Sequence, residues 1–201
     1  MLFTNISLVI LAYLLGSVSF GYLLVKKLKN IDIRKVGSGS AGATNISRVL
    51  GLKLALLVFL LDIGKGFLAV LLAGKFASSP WIIIVCAFAV IIGHNWPIFF
   101  SFKGGRGSAT TLGVIIAIMP LESLIIFAII VLIILTTRYV SLASMVGSVL
   151  IPIFLFLFQH PPQYYLLGFS ITALIIWRHI PNIKRLLQGT EPKFGDKINI
   201  S

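Results

Sequence analysis

The chain has 201 residues, 58% of them hydrophobic and 11% charged, with a mean hydropathy of +1.07. Soluble domains of this length are not so apolar, so the composition indicates a single membrane-embedded domain, residues 1–201, and excludes a soluble enzyme. The single cysteine, Cys86 in an apolar run, excludes an internal disulfide and a thiolate metal cluster, while a net charge of +12 calls for anionic partners or an anionic surface.

In chain order, the first apolar stretch, 4–25, is long enough to span a bilayer. No basic residue precedes it and Lys26, Lys27 and Lys29 follow it, so it reads as an uncleaved helix with its N-terminus outside rather than as a signal peptide. Its Gly16, Ser17, Ser19 and Gly21 predict a face on which another helix packs closely. The basic segment 26–53 then contains VGSGSAGATNISRVLG. Gly37, Gly39 and Gly42, interleaved with Ser38, Ser40, Thr44 and Asn45, allow backbone N–H groups to turn inward around an anion. A bare glycine-serine run reads equally well as a flexible interfacial loop. ATN with Arg48 close behind favours a helix start with donors at its N-terminus.

The second span, 54–73, carries Asp62 and Lys65, a spacing that predicts a mutual ion pair with a structural role. A turn from Gly74 to Pro80 leads into a third span, 81–100, and the segment GHNWPIFFSFKGGRGSAT runs from Gly93 to Thr110. Lys103 and Arg106 flank Gly104, Gly105 and Gly107 directly before a predicted helix, an arrangement that suits phosphate. The GxxxxGK[ST] spacing of a nucleotide-binding P-loop is absent. Anchoring to anionic lipid explains the charges but not the three glycines, and His94 reads as a structural polar contact at a span end.

Residues 108–136 make one long span or two short ones broken at Met119-Pro120-Leu121-Glu122. Charge decides for two. With spans also at 139–158 and 163–178, seven crossings place every Lys and Arg except Lys65 and Lys75 on the cytoplasmic side, including the tail from Arg178 to Lys197. The expected fold is therefore all-α with seven transmembrane helices, the N-terminus outside and the C-terminus cytoplasmic. Trp81, Trp96 and Trp177 fall near span ends and read as interfacial anchors.

Two further cytoplasmic segments remain. RYVSLAS supplies Arg138, Ser141 and Ser144, whose hydroxyls can face one cavity, although hydroxyls in spans more often bond their own helix. WRHIPNIKRLLQGTEPKF supplies Arg178, His179, Asn182, Lys184 and Arg185, and His179 and Asn182 share a helix face if the helix continues past Pro181. No carboxylate pair, metal-ligand spacing or Ser-His-Asp set can be assembled from the sequence, and no histidine is followed five positions later by aspartate. A site of cations and hydrogen-bond donors is left, suited to transfer from an already activated donor.

These four motifs, in this order and separated by apolar spans, closely resemble those of the bacterial acyl-phosphate:glycerol-3-phosphate acyltransferases, the PlsY family, over nearly the whole chain. The resemblance implies a seven-helix enzyme of the bacterial inner membrane. It would move the acyl group of a fatty acyl phosphate to the sn-1 hydroxyl of glycerol 3-phosphate, giving 1-acyl-sn-glycerol 3-phosphate (lysophosphatidate) and phosphate. No cofactor or metal is implied. The implied partners are the two substrates, membrane lipids and an acyl-carrier-protein:phosphate acyltransferase that supplies the donor, with no nucleic acid.

Carried onto this sequence, the resemblance places the essential serine and arginine of the first motif at Ser38 and Arg48. The phosphate loop falls on Lys103, Gly104, Gly105, Arg106 and Gly107, the third-motif pair on His179 and Asn182, and a supporting glutamate on Glu191. Ser38, Arg48, Lys103, His179 and Asn182 are thus the expected catalytic set. Gly39, Gly42, Thr44, Asn45, Gly104, Gly105, Arg106, Gly107, Ser141 and Ser144 are the expected substrate-binding set. Ser40 stands where asparagine is usual, Arg106 where lysine is usual and Ser19 where proline is usual. Either His179 or a substrate phosphate oxygen takes the proton of the attacking hydroxyl. A transporter of organophosphates is the competing reading, opposed by the odd span count and the absence of an inverted repeat.

Overall fold

In the computed structural model, which describes residues 1–196, all regular structure is helical and the described residues contain no strand. The helices are α1 (Leu2–Ser17), α2 (Phe20–Lys29), α3 (Ala43–Leu50), α4 (Leu52–Phe76), α5 (Pro80–Asn95), α6 (Ser108–Ile118), α7 (Pro120–Thr137), α8 (Val140–Leu157), α9 (Gln163–Arg178) and α10 (Ile180–Leu187). Single 3-10 turns lie at Ile33–Lys35 and Ile98–Phe100. Lys197, counted above with the basic tail, lies outside the described residues.

Among the described residues, length and apolarity identify five candidate membrane spans, Leu2–Lys29 (α1 with α2), Leu52–Phe76, Pro80–Phe100, Pro120–Thr137 and Val140–Leu157, or six if α9 and α10, bent by 56° at His179, form one broken span. Their outward residues are apolar, with Leu60, Leu132, Leu135, Phe156 and Phe169 all exposed, as lipid-facing surfaces require. The break expected at Met119 and Pro120 is present. It leaves α7 with 18 residues and α6 with 11, roughly 16 Å of helix and well short of a hydrocarbon core.

The first span is present but broken where one continuous helix was expected. Residues 4–25 do not form one helix, because α1 ends at Ser17 and α2 begins at Phe20. A side chain from α4 takes up a backbone carbonyl at this point. Lys65 Nζ donates to the Val18 carbonyl at 2.9 Å, and Ser17 Oγ donates to the Tyr13 carbonyl while accepting from the Ile98 amide. The break falls at Val18 and Ser19.

Two compact units divide the chain. Residues 1–114, with Gly195 and Asp196, form the first. Here α1 packs on α4 and α5, and α2 and α3 pack on α4. The small residues of α1 do what their size predicts: a Cβ on Gly16 would come 2.1 Å from the Val90 carbonyl, and one on Gly93 2.2 Å from that of Tyr13. The α1 and α5 backbones therefore touch. Val25, Ile33, Ala41, Ile46, Ala55 and Val58 close the space between α2, α3 and α4.

Residues 115–194 form the second unit, in which α8 packs against α7 and α9. Pro152 lies inside α8 and cannot donate to the Ser148 carbonyl one turn back. Thr172 Oγ1 of α9 donates to it instead, at 2.7 Å, so the helix passes its proline without an orphaned carbonyl. His160 Nε2 and Glu122 Oε1 meet at 2.6 Å and tie the turn after α8 to the start of α7.

Candidate active site

The first motif folds into a loop closed by Asn45. Its Nδ2 lies 2.9 Å from the Val36 and Ser40 carbonyls and 3.3 Å from that of Ile33, while Oδ1 accepts from the Ser38 amide. Asn45 is 1% exposed, so its amide shapes the loop and is taken up in doing so. Gly37 and Gly39 adopt positive φ, and the Gly39 and Gly42 amides bond to the Val36 carbonyl and Ser40 Oγ. The inward-facing nest expected here is thus largely occupied by the loop's own acceptors. What the fold presents is half-buried Ser38 and Thr44 and, one turn along α3, Arg48, which is 8% exposed.

The second motif runs back along the C-terminal end of α5. Gly104 N–H donates to the Asn95 carbonyl at 3.2 Å and Gly105 N–H to that of His94 at 3.1 Å. These two glycines serve close approach, because a Cβ would fall 2.1 Å from His94 O at Gly104 and 2.0 Å from His94 Nε2 at Gly105. Their amides therefore do not face a ligand, contrary to the sequence reading. Gly107, at φ +90°, turns the chain into α6, whose first-turn amides lie beyond the reach of intrahelical carbonyls and suit an anion. Lys103 is exposed and Arg106 half-buried on either side of the glycine pair.

Sequence reading passed over the residue that ties these motifs together. Arg34 pairs with Asp32 at 2.7 Å, donates to the Phe100 carbonyl at 2.6 Å and stacks 4.6 Å over the Tyr22 ring, which itself contacts Phe100. It had counted only as one positive charge among several. The Asp-x-Arg spacing, with Asp32 also accepting from the Arg34 amide, was the available local signal. The Arg34 hydrogen bonds hold the Asp32 carboxyl down at about 2. A lowered carboxyl stabilises the fold fully above its ordinary pKa, and that contribution fades as pH falls through about 2. Arg34→Ala removes the strap, and kcat/KM is expected to fall about tenfold with a lower melting temperature, since charge-assisted bonds of this kind contribute about 1.5–3 kcal/mol. Steady-state kinetics and thermal melting in detergent check both.

In the second unit the third motif is organised around Glu191. Its Oε1 accepts from Ser141 Oγ at 2.7 Å and Asn182 Nδ2 at 2.6 Å, and its Oε2 from Arg185 Nε at 2.7 Å. Ser141 is therefore engaged by Glu191, and Ser144 lies half-buried one turn along α8. With Nδ2 turned to the carboxylate, Asn182 presents Oδ1, which is buried and has no hydrogen-bond partner among the described residues. His179, 2% exposed, sits at the bend between α9 and α10 with Nδ1 2.8 Å from the Ile175 carbonyl. That contact places the proton of the neutral ring on Nδ1 and makes Nε2 the basic nitrogen. Arg138 grips the Phe194 carbonyl and pins the segment after Glu191.

The family model for glycerol-3-phosphate acyltransferase matches residues 6–189. The glycerol-3-phosphate acyltransferase of Thermoanaerobacter sp. (strain X514) is 46% identical over 191 residues, covering 95% of this chain and 96% of the relative. That of Aquifex aeolicus (strain VF5) is 47% identical over 188 residues, covering 93% and 97%. Among solved structures, PlsY, an integral membrane glycerol 3-phosphate acyltransferase, superposes in its glycerol 3-phosphate form with a TM-score of 0.90 at 46% identity, covering 95% of this chain and 96% of that one. Its lysophosphatidic acid form gives 0.87 at 45% identity, covering 95% of each chain.

Proposed function

The chain belongs to the glycerol-3-phosphate acyltransferase family, and from that premise we propose that it transfers the acyl group of a fatty acyl phosphate to the sn-1 hydroxyl of glycerol 3-phosphate, releasing 1-acyl-sn-glycerol 3-phosphate and phosphate. The observation that carries this reading is the 0.90 superposition on a relative in its glycerol 3-phosphate form. The lysophosphatidic acid form of that relative supports the product. An acyl phosphate suits the donor role because a mixed anhydride brings its own leaving group, and cations with hydrogen-bond donors are then sufficient.

In this reading residues 1–201 act as one domain of the bacterial inner membrane with seven crossings, the N-terminus outside and the motifs cytoplasmic. Arg48, Lys103 and Arg106 neutralise the two phosphates and the charge developing at the carbonyl, and Ser38 and Thr44 orient substrate by hydrogen bonding. Asn45, Gly39, Gly42 and the glycines of 104–107 hold the loops that carry them. Asn182 Oδ1, an acceptor, meets a substrate hydroxyl rather than a phosphate oxygen. The donor comes from an acyl-carrier-protein:phosphate acyltransferase, and no cofactor takes part.

His179 Nε2 is the proton acceptor in this scheme. His179→Ala is expected to lower kcat by about 10²–10⁴ with KM little changed. A raised KM with kcat retained would instead give the proton to a substrate phosphate. The reaction itself is tested with purified protein in detergent. Phosphate release should require both substrates, need no membrane gradient and persist in EDTA. Transport of an organophosphate into liposomes without phosphate release would replace this reading.

A further inference from the structure

We propose that Asp62 is a positioning residue for the reaction above, acting through His94 on the glycine loop 103–107. The inference rests on that reaction. Asp62 and Lys65 are 2% and 1% exposed at their side chains and pair at 2.8 Å within α4. A buried pair that served packing alone would close on itself, and such pairs can be replaced by apolar residues with little loss.

Here each ion makes a second contact that leads to a motif. Lys65 Nζ donates to the Val18 carbonyl, at the break before the helix that feeds the first motif loop. Asp62 Oδ1 lies 3.5 Å from His94 Nδ1, and His94 is itself 7% exposed. At this distance the carboxylate attracts the Nδ1 proton electrostatically, which favours that tautomer and draws the Nδ1 edge of the ring toward α4.

Ring orientation matters because of what lies on its far side. The His94 Nε2 edge faces Gly105, with no room for a side chain between them, and the His94 carbonyl takes the Gly105 amide. Asn95 continues this floor. Its carbonyl holds Gly104, and its side chain, 0% exposed with neither amide atom partnered among the described residues, lies against Gly107. The loop between Lys103 and Arg106 therefore rests on two polar side chains at the end of α5, and Asp62 reaches one of them from α4. Without the Asp62 charge the Nδ1 edge loses its pull toward α4, and the bare glycine backbone against the ring is the part that shifts. Lys103 and Arg106 are carried with it.

The test is a split between KM and kcat. A loop that binds phosphate in the ground state and in the transition state alike shifts KM when it is displaced. Asp62→Asn in purified protein is expected to raise KM for one of the two phosphate substrates roughly tenfold, with kcat within about threefold. The double variant Asp62→Leu with Lys65→Leu leaves no lone buried charge and, although it melts lower because the Val18 carbonyl loses Lys65, should show the same rise in KM. It serves where Asp62→Asn fails to fold. Glu122→Gln, which loosens the His160 contact in the other unit, is the control and should lower the melting temperature with both KM values unchanged. A structural role would reduce the amount of active protein and leave KM alone. The proposal is overturned if both KM values in the Asp62 variants stay within twofold of wild type, whatever happens to kcat or melting. A wild-type protein that releases no phosphate would remove the reaction itself, a different and separately visible result.

Discussion

Gly104→Ala is expected to lower kcat/KM by on the order of a hundredfold or more while the helices stay folded. The added Cβ would lie 2.1 Å from the His94 carbonyl oxygen, 2.6 Å from Pro97 Cδ and 3.1 Å from the Asn95 carbonyl oxygen. Two of these atoms belong to the backbone at the C-terminal end of α5 and cannot rotate away, and the third is in a proline ring. The loop must therefore lift by an ångström or so, which breaks the amide bonds of Gly104 and Gly105 to α5 and displaces Lys103 and Arg106. Gly105→Ala should do less harm, nearer the tenfold loss expected of the Asp62 variants, because its obstruction is the His94 ring, a side chain that can yield by leaving Asp62 where backbone cannot. Gly64→Ala and Gly74→Ala are the controls: both sit in α4 with nothing within 4 Å of the new Cβ, and both should retain activity. Kinetics and helical content by circular dichroism in detergent check the series. Gly104→Ala with activity within threefold of wild type would mean that the loop does not hold the reacting groups.

The helices were legible because a bilayer leaves little choice, and runs of apolar residues near the required length become helices. Proline made the break at Met119 readable from local sequence. The break at Val18 was not, since the group that takes its carbonyl is Lys65, 47 positions away. The same limit governs the site. Residue types in the loops pointed to phosphate chemistry, but not to which donor is already engaged. The Gly104 and Gly105 amides look like anion ligands until the end of α5 accepts them, and Asn45 looks like a substrate contact until its amide closes its own loop. Ser141 was expected to face a cavity with Ser144 and instead bonds to Glu191, 50 positions away, and Arg34 gave no sign of the Phe100 carbonyl 66 positions away. Composition and local spacing reveal chemistry, whereas the pairing of particular donors with remote acceptors is settled only by tertiary structure.

Glu191→Ala should be the most damaging substitution in the second unit, with activity lost by a hundredfold or more and stability lowered by about 3 kcal/mol or more. The carboxylate accepts from Ser141, Asn182 and Arg185, and its side chain is 5% exposed, so water cannot readily replace it. Its loss frees the Asn182 amide to turn over, and Oδ1 then no longer faces the substrate hydroxyl assigned to it. Glu191→Gln separates charge from shape. An oxygen at the Oε1 position can still accept from Ser141 and Asn182, but the amide nitrogen then meets Arg185 Nε, donor against donor. About a tenfold loss of activity is expected, between wild type and alanine. Acid titration gives an independent check. Burial raises the Glu191 pKa, but the bonds from Ser141, Asn182 and Arg185 outweigh it and hold the carboxyl below its usual range. Stability from this group is therefore complete above the ordinary glutamate value and declines as pH falls through the lowered one. Relative to wild type, Glu191→Gln should be less stable near neutrality, and the gap should narrow on acidification into that window. A gap that stays constant with pH would show that the three bonds do not depend on the ionised carboxylate.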